Sequence, residues 1–135
     1  MKLIDCTYLN SPGGKKILEI ILENINEKES NKIFFLFDSR VNKKNLKGYN
    51  FKIINNSEIE RKRFYRSVKN DLVKCFCMAN VPPPIKLKCK VYIYFHNDLI
   101  LRPEKSKSLH KTIIFWLKKI YIKFINHKEY TWMVQ

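Results

Sequence analysis

The fold is decided by residues 72–98, LVKCFCMANVPPPIKLKCKVYIYFHND, which hold two apolar runs separated by a triple proline. Each run is rich in β-forming residues and is bounded by turn-forming residues, so each predicts a strand buried on both faces. The second run ends abruptly at His96-Asn97-Asp98. Because ligands of open α/β sheets bind at the carboxyl ends of strands, His96 is a candidate site residue. A purely structural role is the alternative for a lone histidine at this position.

The rest of the chain alternates between strand and helix patterns. Further strands are predicted at residues 2–9, 32–37, 49–54 and 129–135, and helices at residues 15–26, 58–70 and 109–126. At 135 residues the chain is long enough for one domain with its own core. We therefore expect a single α/β domain over residues 1–135, with a Rossmann-like open, mainly parallel sheet of about six strands and helices on both faces.

A glycine-containing turn separates the first strand from the first helix. Its sequence, Asn10-Ser11-Pro12-Gly13-Gly14, leads into Lys15. Such a loop gathers backbone N–H groups and the positive end of a helix dipole, which favours anions. Neither GxGxxG nor GxxxxGK[ST] is present, so a tight turn without a ligand is an equal alternative.

The two later helices carry most of the interpretable charge pattern. Ser57 and Glu60 have the spacing of a capping box, and Phe64 and Tyr65 are expected to dock the second helix on the sheet. In the third helix the apolar residues Leu109, Ile113, Trp116, Leu117, Ile120, Tyr121 and Phe124 share one side. We expect this side to pack on the sheet, with insertion into a membrane interface as the alternative.

The net charge of +15 predicts an anionic partner without naming one. Lysine outnumbers arginine 22 to 5, which points to compositional bias rather than to dedicated phosphate recognition. Candidates for contact with an anionic membrane surface are Arg61, Arg63, Lys118 and Lys119. No nucleic acid is expected as a partner, because the aromatic residues lie mostly inside apolar runs. A small basic nucleic-acid-binding module is the alternative class.

No metal or cofactor is predicted from the cysteines. Cys75 and Cys77 point to the same face of a strand, and the spacing of all four cysteines differs from that of zinc ligands on turns. Buried, reduced thiols are the simpler interpretation. The N-terminus has no signal-peptide core and no apolar run approaches about 18 residues, so we expect a cytoplasmic protein.

Four motifs, in order along the chain, carry a resemblance to a known family. They are Gly13-Gly14-Lys15, Asn80-Val81-Pro82-Pro83, Tyr94-Phe95-His96-Asn97 and Trp132-Met133-Val134-Gln135. With this order and spacing, the chain resembles the N-terminal half of a GT-B glycosyltransferase of the family-four, glycogen-synthase-like kind found in bacterial surface-polysaccharide clusters.

The resemblance implies an acceptor-side domain. It places Gly13, Gly14 and Lys15 at an inter-domain cleft near the donor diphosphate and the acceptor, and it places His96, followed by Asn97, opposite the transferred sugar. The implied partners are a nucleotide-sugar donor and a cell-surface glycan acceptor, such as lipopolysaccharide or capsule. Separately from the resemblance, the basic helices around Arg61 and Lys118 lead us to expect peripheral association with the inner face of the cell membrane.

The chain also departs from the family pattern. We expect no second, donor-binding domain in this chain, and no E-x7-E pair is suitably placed for such a site. Whether the chain is an enzyme is therefore left open, and we expect it to be inactive alone, as a truncated half. A non-catalytic subunit of a split glycosyltransferase is the remaining alternative.

Overall fold

The computed structural model confirms an open α/β fold of the Rossmann-like kind. It describes residues 1–9, 11–26, 30–41, 46, 48–95, 100, 102 and 108–134. The strands are β1 (Lys2–Asp5), β2 (Ile33–Asp38), β3 (Asn50–Ile54), β4 (Lys74–Cys77), β5 (Lys90–Phe95) and β6 (Thr131–Val134), and the helices are α1 (Pro12–Asn24), α2 (Glu58–Val68) and α3 (Leu109–Ile125). Every predicted element is present, with ends that differ by a few residues.

The six strands form one parallel sheet in the order β3-β2-β1-β4-β5-β6. From β1 the chain first builds outward through β2 and β3, and it then returns to the other side of β1 with β4. The direction of winding therefore reverses between β1 and β4. In open parallel sheets such a reversal leaves a crevice at the carboxyl ends of the strands, where ligands bind.

Helices cover both faces of the sheet, as predicted. Phe35 and Phe37 of β2 pack with Leu18 of α1 in one core cluster. The intervening Leu36 packs with Phe64 and Tyr65 of α2 in the other cluster. This division follows from the alternation of side chains along a strand, and it explains why the strand runs are apolar at successive positions.

Three of the four thiols are buried as the sequence predicted, and Cys89 is only half-buried. Cys75 and Cys77 lie on the α2 side of β4, with their Sγ atoms 3.8 Å apart. All four cysteines are free, and Cys6, Cys75 and Cys77 are buried. Burial raises the pKa of the Cys6 and Cys75 thiols, so these groups stay protonated and unreactive.

The predicted packing side of α3 is wrong. The helix contacts the sheet region through Phe115 and Ile122, which cluster with Phe95. Leu109 and Phe124, by contrast, are 79% and 85% exposed. The cause is that α3 has apolar residues on two sides, and counting residues by helical period favours the broader side over the one that packs.

The start of one helix and the capping of another also differ from expectation. Helix α1 begins at Pro12, so the two glycines belong to its first turn rather than to a loop, and the Ser11 hydroxyl accepts a hydrogen bond from Gly14 N at 3.1 Å. At α2, Ser57 makes no side-chain cap. Glu60 instead accepts hydrogen bonds from the backbone N and Nδ2 of Asn55, at 2.9 and 2.6 Å.

Replacing the two glycines of α1 with alanine should have opposite effects on stability. A Cβ atom at Gly14 would lie 2.5 Å from Leu9 Cδ1 and 2.9 Å from Ser11 Oγ, whereas one at Gly13 would meet no atom within 4 Å. We expect Gly13→Ala to raise the free energy of unfolding by about 0.5 kcal/mol, because alanine lowers the conformational entropy of the unfolded chain. Gly14→Ala should lower it by about 1–2 kcal/mol, because Leu9 and the capping Ser11 must move. Urea denaturation measures both, and equal gains would contradict the close approach at Gly14.

Candidate functional site

A polar cleft opens at the point where the sheet reverses direction. Its volume is about 520 Å³, and residues that follow β1, β2, β3 and β4 form its walls together with α2 and α3. We call it the switch-point cleft. Its polar lining consists of Tyr8, Ser11, Arg40, Asn56, Glu58, Asn80, Lys118 and Tyr121, and its apolar lining of Leu9, Ala79, Val81 and Ile100.

Two cleft residues have left-handed backbone conformations. Tyr8 follows β1 with φ = 68°, and Asn80 follows β4 with φ = 63°. The Tyr8 N–H donates to Asp38 Oδ2 at 2.7 Å, and the Asn80 N–H donates to the Tyr94 carbonyl at 3.2 Å. Asparagine tolerates this conformation, but a bulky residue such as tyrosine adopts it rarely and at a cost. Strained positions of this kind concentrate at functional sites.

Glu58 connects three elements of the cleft wall. Its carboxylate accepts hydrogen bonds from Tyr8 Oη at 2.6 Å, from Tyr121 Oη at 2.5 Å and from Arg61 Nη1 at 3.2 Å. Partial burial raises the pKa of both Tyr8 and Tyr121, and the hydrogen bonds to Glu58 raise it further. Both phenols therefore stay protonated and keep donating, so β1, α2 and α3 remain tied at this carboxylate.

Beneath the cleft lies a buried ion pair between Asp5 and Arg61. Each side chain is 1% exposed, and Asp5 Oδ2 lies 2.9 Å from Arg61 Nε and 2.8 Å from Nη2. Tyr65 Oη donates to the same oxygen at 2.7 Å, and Thr7 donates to Oδ1 through its backbone N and its hydroxyl. Burial opposes the charge of Arg61, but the opposing charge of Asp5 and smaller contributions from Glu58 and other neighbouring groups together outweigh burial and raise the pKa of the guanidinium.

Arg61 also fixes the connector that follows β4. Its Nη2 donates to the carbonyl of Val81 at 3.2 Å, just before the triple proline. The prediction that Arg61 contacts a membrane surface is therefore wrong, because a guanidinium that is fully enclosed and paired cannot reach lipid headgroups. Helical spacing could have shown this, since Arg61 lies at i and the buried Phe64 and Tyr65 lie at i+3 and i+4.

A second ion pair borders the cleft. Arg40 Nε and Nη2 donate to the two carboxylate oxygens of Asp38, at 2.9 and 2.6 Å. Partial burial raises the pKa of Asp38, but the hydrogen bonds from Arg40 and from backbone N–H groups outweigh it, and the pKa falls below its usual value. Arg40 remains 39% exposed, and with Lys118 it brings positive charge to the cleft. Cations so placed suit a phosphate or carboxylate group.

The other predicted site residues lie in several places. His96 and Asn97 fall outside the described residues. Gly13 and Gly14 lie in the first turn of α1, where the neighbouring Leu9 and Ser11 contribute to the cleft lining. Lys15 borders a separate cavity of about 130 Å³. Arg63 and Lys118 are exposed and Lys119 is half-buried, so their role at a membrane surface stays a prediction.

The sequence interpretation missed Asp5, Tyr8, Arg40 and Glu58 as site residues. Their positions in the sequence could have identified most of them. Polar residues that directly follow apolar strand runs lie together at one edge of a parallel sheet. That signal identified His96 but was not applied to the other strands. The contacts of Glu58 with two tyrosines from distant segments carry no sequence signal at all.

Two absences hold for the described part of the chain. No group of three or more histidine, cysteine, aspartate or glutamate residues is arranged to hold a metal ion there. Within the same residues, none of the helices has the length and apolar character needed to cross a membrane. Comparison with known protein families, with curated protein sequences and with solved structures gave no match to this chain.

Removing the buried guanidinium should destabilise the fold far more than removing an exposed one. Arg61→Met leaves Asp5 buried without its partner, and we expect it to lower the free energy of unfolding by about 3–5 kcal/mol. Arg63→Met, on the exposed side of the same helix, should change it by about 0.5 kcal/mol at most. Denaturation in guanidinium chloride at neutral pH compares the two variants. Similar decreases in the free energy of unfolding would show that the Asp5–Arg61 pair contributes little to stability.

The Asp38–Arg40 pair should make stability depend on pH in the acid range. Because the pKa of Asp38 is lowered by folding, its stabilisation is fully present above the ordinary carboxyl pKa of about 3.9. The stabilisation is then lost as the pH falls through the lowered folded value. Asp38→Asn should therefore be less stable at pH 7, by about 1–3 kcal/mol, and should show a weaker fall on acidification.

Urea denaturation across the acid range measures this difference. Glu129→Gln, which breaks an exposed pair with Lys86, is the matched control and should follow the wild-type curve. Parallel curves for wild type and Asp38→Asn would contradict the assignment to Asp38.

Proposed function

We propose that this chain is the N-terminal, acceptor-side half of a glycosyltransferase, whose complete form transfers a sugar from a nucleotide-sugar donor to a cell-surface glycan. The observation that carries the proposal is the switch-point cleft, a polar pocket at the ligand-binding edge of a Rossmann-like sheet. The order of the four motifs that resemble family-four glycosyltransferases supports the same assignment.

The chemistry of the cleft suits a hydroxyl-rich ligand. Sugars need donors and acceptors at several angles, and Ser11, Asn56 and Asn80 supply both types of group along the lining. The carboxylate of Glu58 adds acceptor capacity beside the two tyrosine hydroxyls. Arg40 and Lys118 supply positive charge for a phosphate-bearing portion of a donor or a lipid-linked acceptor.

Transfer in the proposed enzyme depends mainly on positioning. A second, donor-binding domain would complete the cleft, and holding the donor and the acceptor together would supply most of the rate enhancement. In this proposal His96 faces the transferred sugar, with Asn97 beside it and Gly13, Gly14 and Lys15 near the donor diphosphate. An imidazole in that place hydrogen-bonds a sugar hydroxyl and favours positive charge in the transition state. In this proposal, sugar transfer requires both domains.

The proposed cellular location is the inner face of the cell membrane, with which the chain associates peripherally. The net charge of +15 supports attraction to anionic headgroups. Exposed Arg63 and Lys118 are consistent with this, and buried Arg61 takes no part.

Backbone amide NMR titration of the chain tests the acceptor role. Oligosaccharide fragments of lipopolysaccharide cores and capsules should shift the amide signals of Tyr8, Ser11 and Asn80. Asn80→Gly keeps the left-handed backbone and deletes the side chain, so it should weaken glycan binding by about fivefold, equivalent to one hydrogen bond of about 1 kcal/mol. Lys86→Ala, at an exposed position outside the cleft, is the matched control.

Two outcomes would overturn the proposal. One is the absence of shifts in the cleft with every glycan and with UDP-glucose and GDP-mannose. The other is binding of single-stranded RNA with steep salt dependence and no response to sugars, which would favour a basic nucleic-acid-binding module.

A further inference from the structure

Helix α3 carries a continuous apolar stripe on its exposed side. The stripe consists of Leu109, Ile113, Trp116, Leu117, Ile120 and Phe124. Their spacing places them on one side of the helix, and their exposure ranges from 47% at Ile120 to 85% at Phe124. Single exposed apolar residues are common, whereas a contiguous stripe of this length marks a surface that contacts a partner.

The charges on α3 indicate the chemistry of that partner. Residues 109–125 contain four lysines, Lys111, Lys118, Lys119 and Lys123, and no acidic residue. Lys119 and Lys123 lie three positions after Trp116 and Ile120, so they neighbour the stripe on the helix surface. Lysine stems extend along apolar surface while their charged ends reach toward anions. An apolar stripe bordered by lysines is complementary to a layer of anionic headgroups above acyl chains.

Two other occupants fit the stripe less well. A second copy of the chain would bring two sets of four lysines together without an acidic residue on either helix, which opposes association. A nucleic acid would pair with the lysines but would leave the aliphatic residues Leu109, Ile113, Leu117 and Ile120 without stacking partners.

We propose that α3 is the membrane-docking element of this protein and that it lies in the interface of an anionic bilayer with the stripe turned toward the acyl chains. The opposite side of the helix stays on the protein through Phe115 and Ile122, so docking needs no unfolding. This assigns the membrane contact to one surface, whereas net charge alone would spread it over the molecule.

Docking through α3 also orients the switch-point cleft. Lys118 and Tyr121 belong to α3 and line the cleft, and Tyr121 is held to Glu58 by a hydrogen bond of 2.5 Å. The cleft therefore opens beside the membrane surface, which favours a lipid-linked glycan as the acceptor. This last step rests on the proposed function, but the docking itself does not.

Co-sedimentation with phosphatidylcholine vesicles, with and without phosphatidylglycerol, tests the docking surface. Trp116→Ser combined with Phe124→Ser should reduce partitioning into anionic vesicles about tenfold or more. Ile59→Ser combined with Val73→Ser removes two residues that are 66% and 65% exposed elsewhere, and should leave partitioning unchanged. Lys119→Gln with Lys123→Gln should reduce it by roughly fivefold per lysine on anionic vesicles only. Circular dichroism checks that each variant is folded.

Fluorescence locates the contact directly. In a Trp132→Phe background Trp116 is the only tryptophan, and its emission should shift to shorter wavelength with anionic vesicles. Equal vesicle binding by the stripe variant and its control would overturn the proposal. A dimer of the wild-type chain at sedimentation equilibrium, with a monomer for the stripe variant, would also overturn it. A shift in Trp116 emission with single-stranded RNA but not with vesicles would do the same. The vesicle experiments contain no sugar, so their outcome is independent of the glycan titration. Failure of the docking proposal can therefore be distinguished from failure of the proposed function.

Discussion

The buried ion pair between Asp5 and Arg61 is the constraint on which the ligand-binding edge of the sheet depends. A guanidinium enclosed by protein requires a partner and complete hydrogen bonding, and the end of β1, α2 and the carbonyl of Val81 meet these needs together. Each of these segments is thereby fixed at the point where the winding of the sheet reverses. The shape of the cleft depends on this arrangement, because Glu58 accepts hydrogen bonds both from Arg61 and from the two tyrosines that line the cleft.

Features that depend on local periodicity could be predicted from the sequence. The uniformly apolar runs around Cys75 and Val91 indicated strands covered on both faces, and a parallel sheet follows from that requirement. Features that depend on the choice between two similar surfaces could not be predicted in this way. Helix α3 has apolar residues on two sides, and only the position of Phe95 relative to the helix decides which side packs. Arg61 was misjudged because charge alone does not reveal a buried partner 56 positions away.

The candidate site was less predictable than the fold because it is assembled from distant segments. The role of Glu58 depends on its hydrogen bonds with Tyr8 and Tyr121, which are 50 and 63 positions away along the chain. Topology brings them together, and topology follows from all six strands rather than from any motif. The cations show the same principle, since Arg61 is paired in the core, Arg40 binds Asp38 at the cleft, and Lys111 and Lys123 of α3 are exposed. A single value of net charge hides these separate roles.

The left-handed backbone at Tyr8 has a consequence for how this protein can evolve or be engineered. A glycine there would remove backbone strain of about 1–2 kcal/mol. That glycine would also delete the phenol that joins the end of β1 to Glu58. A relaxed backbone and an intact cleft wall therefore exclude each other at this position. Tyrosine with φ = 68° keeps the cleft wall at the expense of local backbone strain.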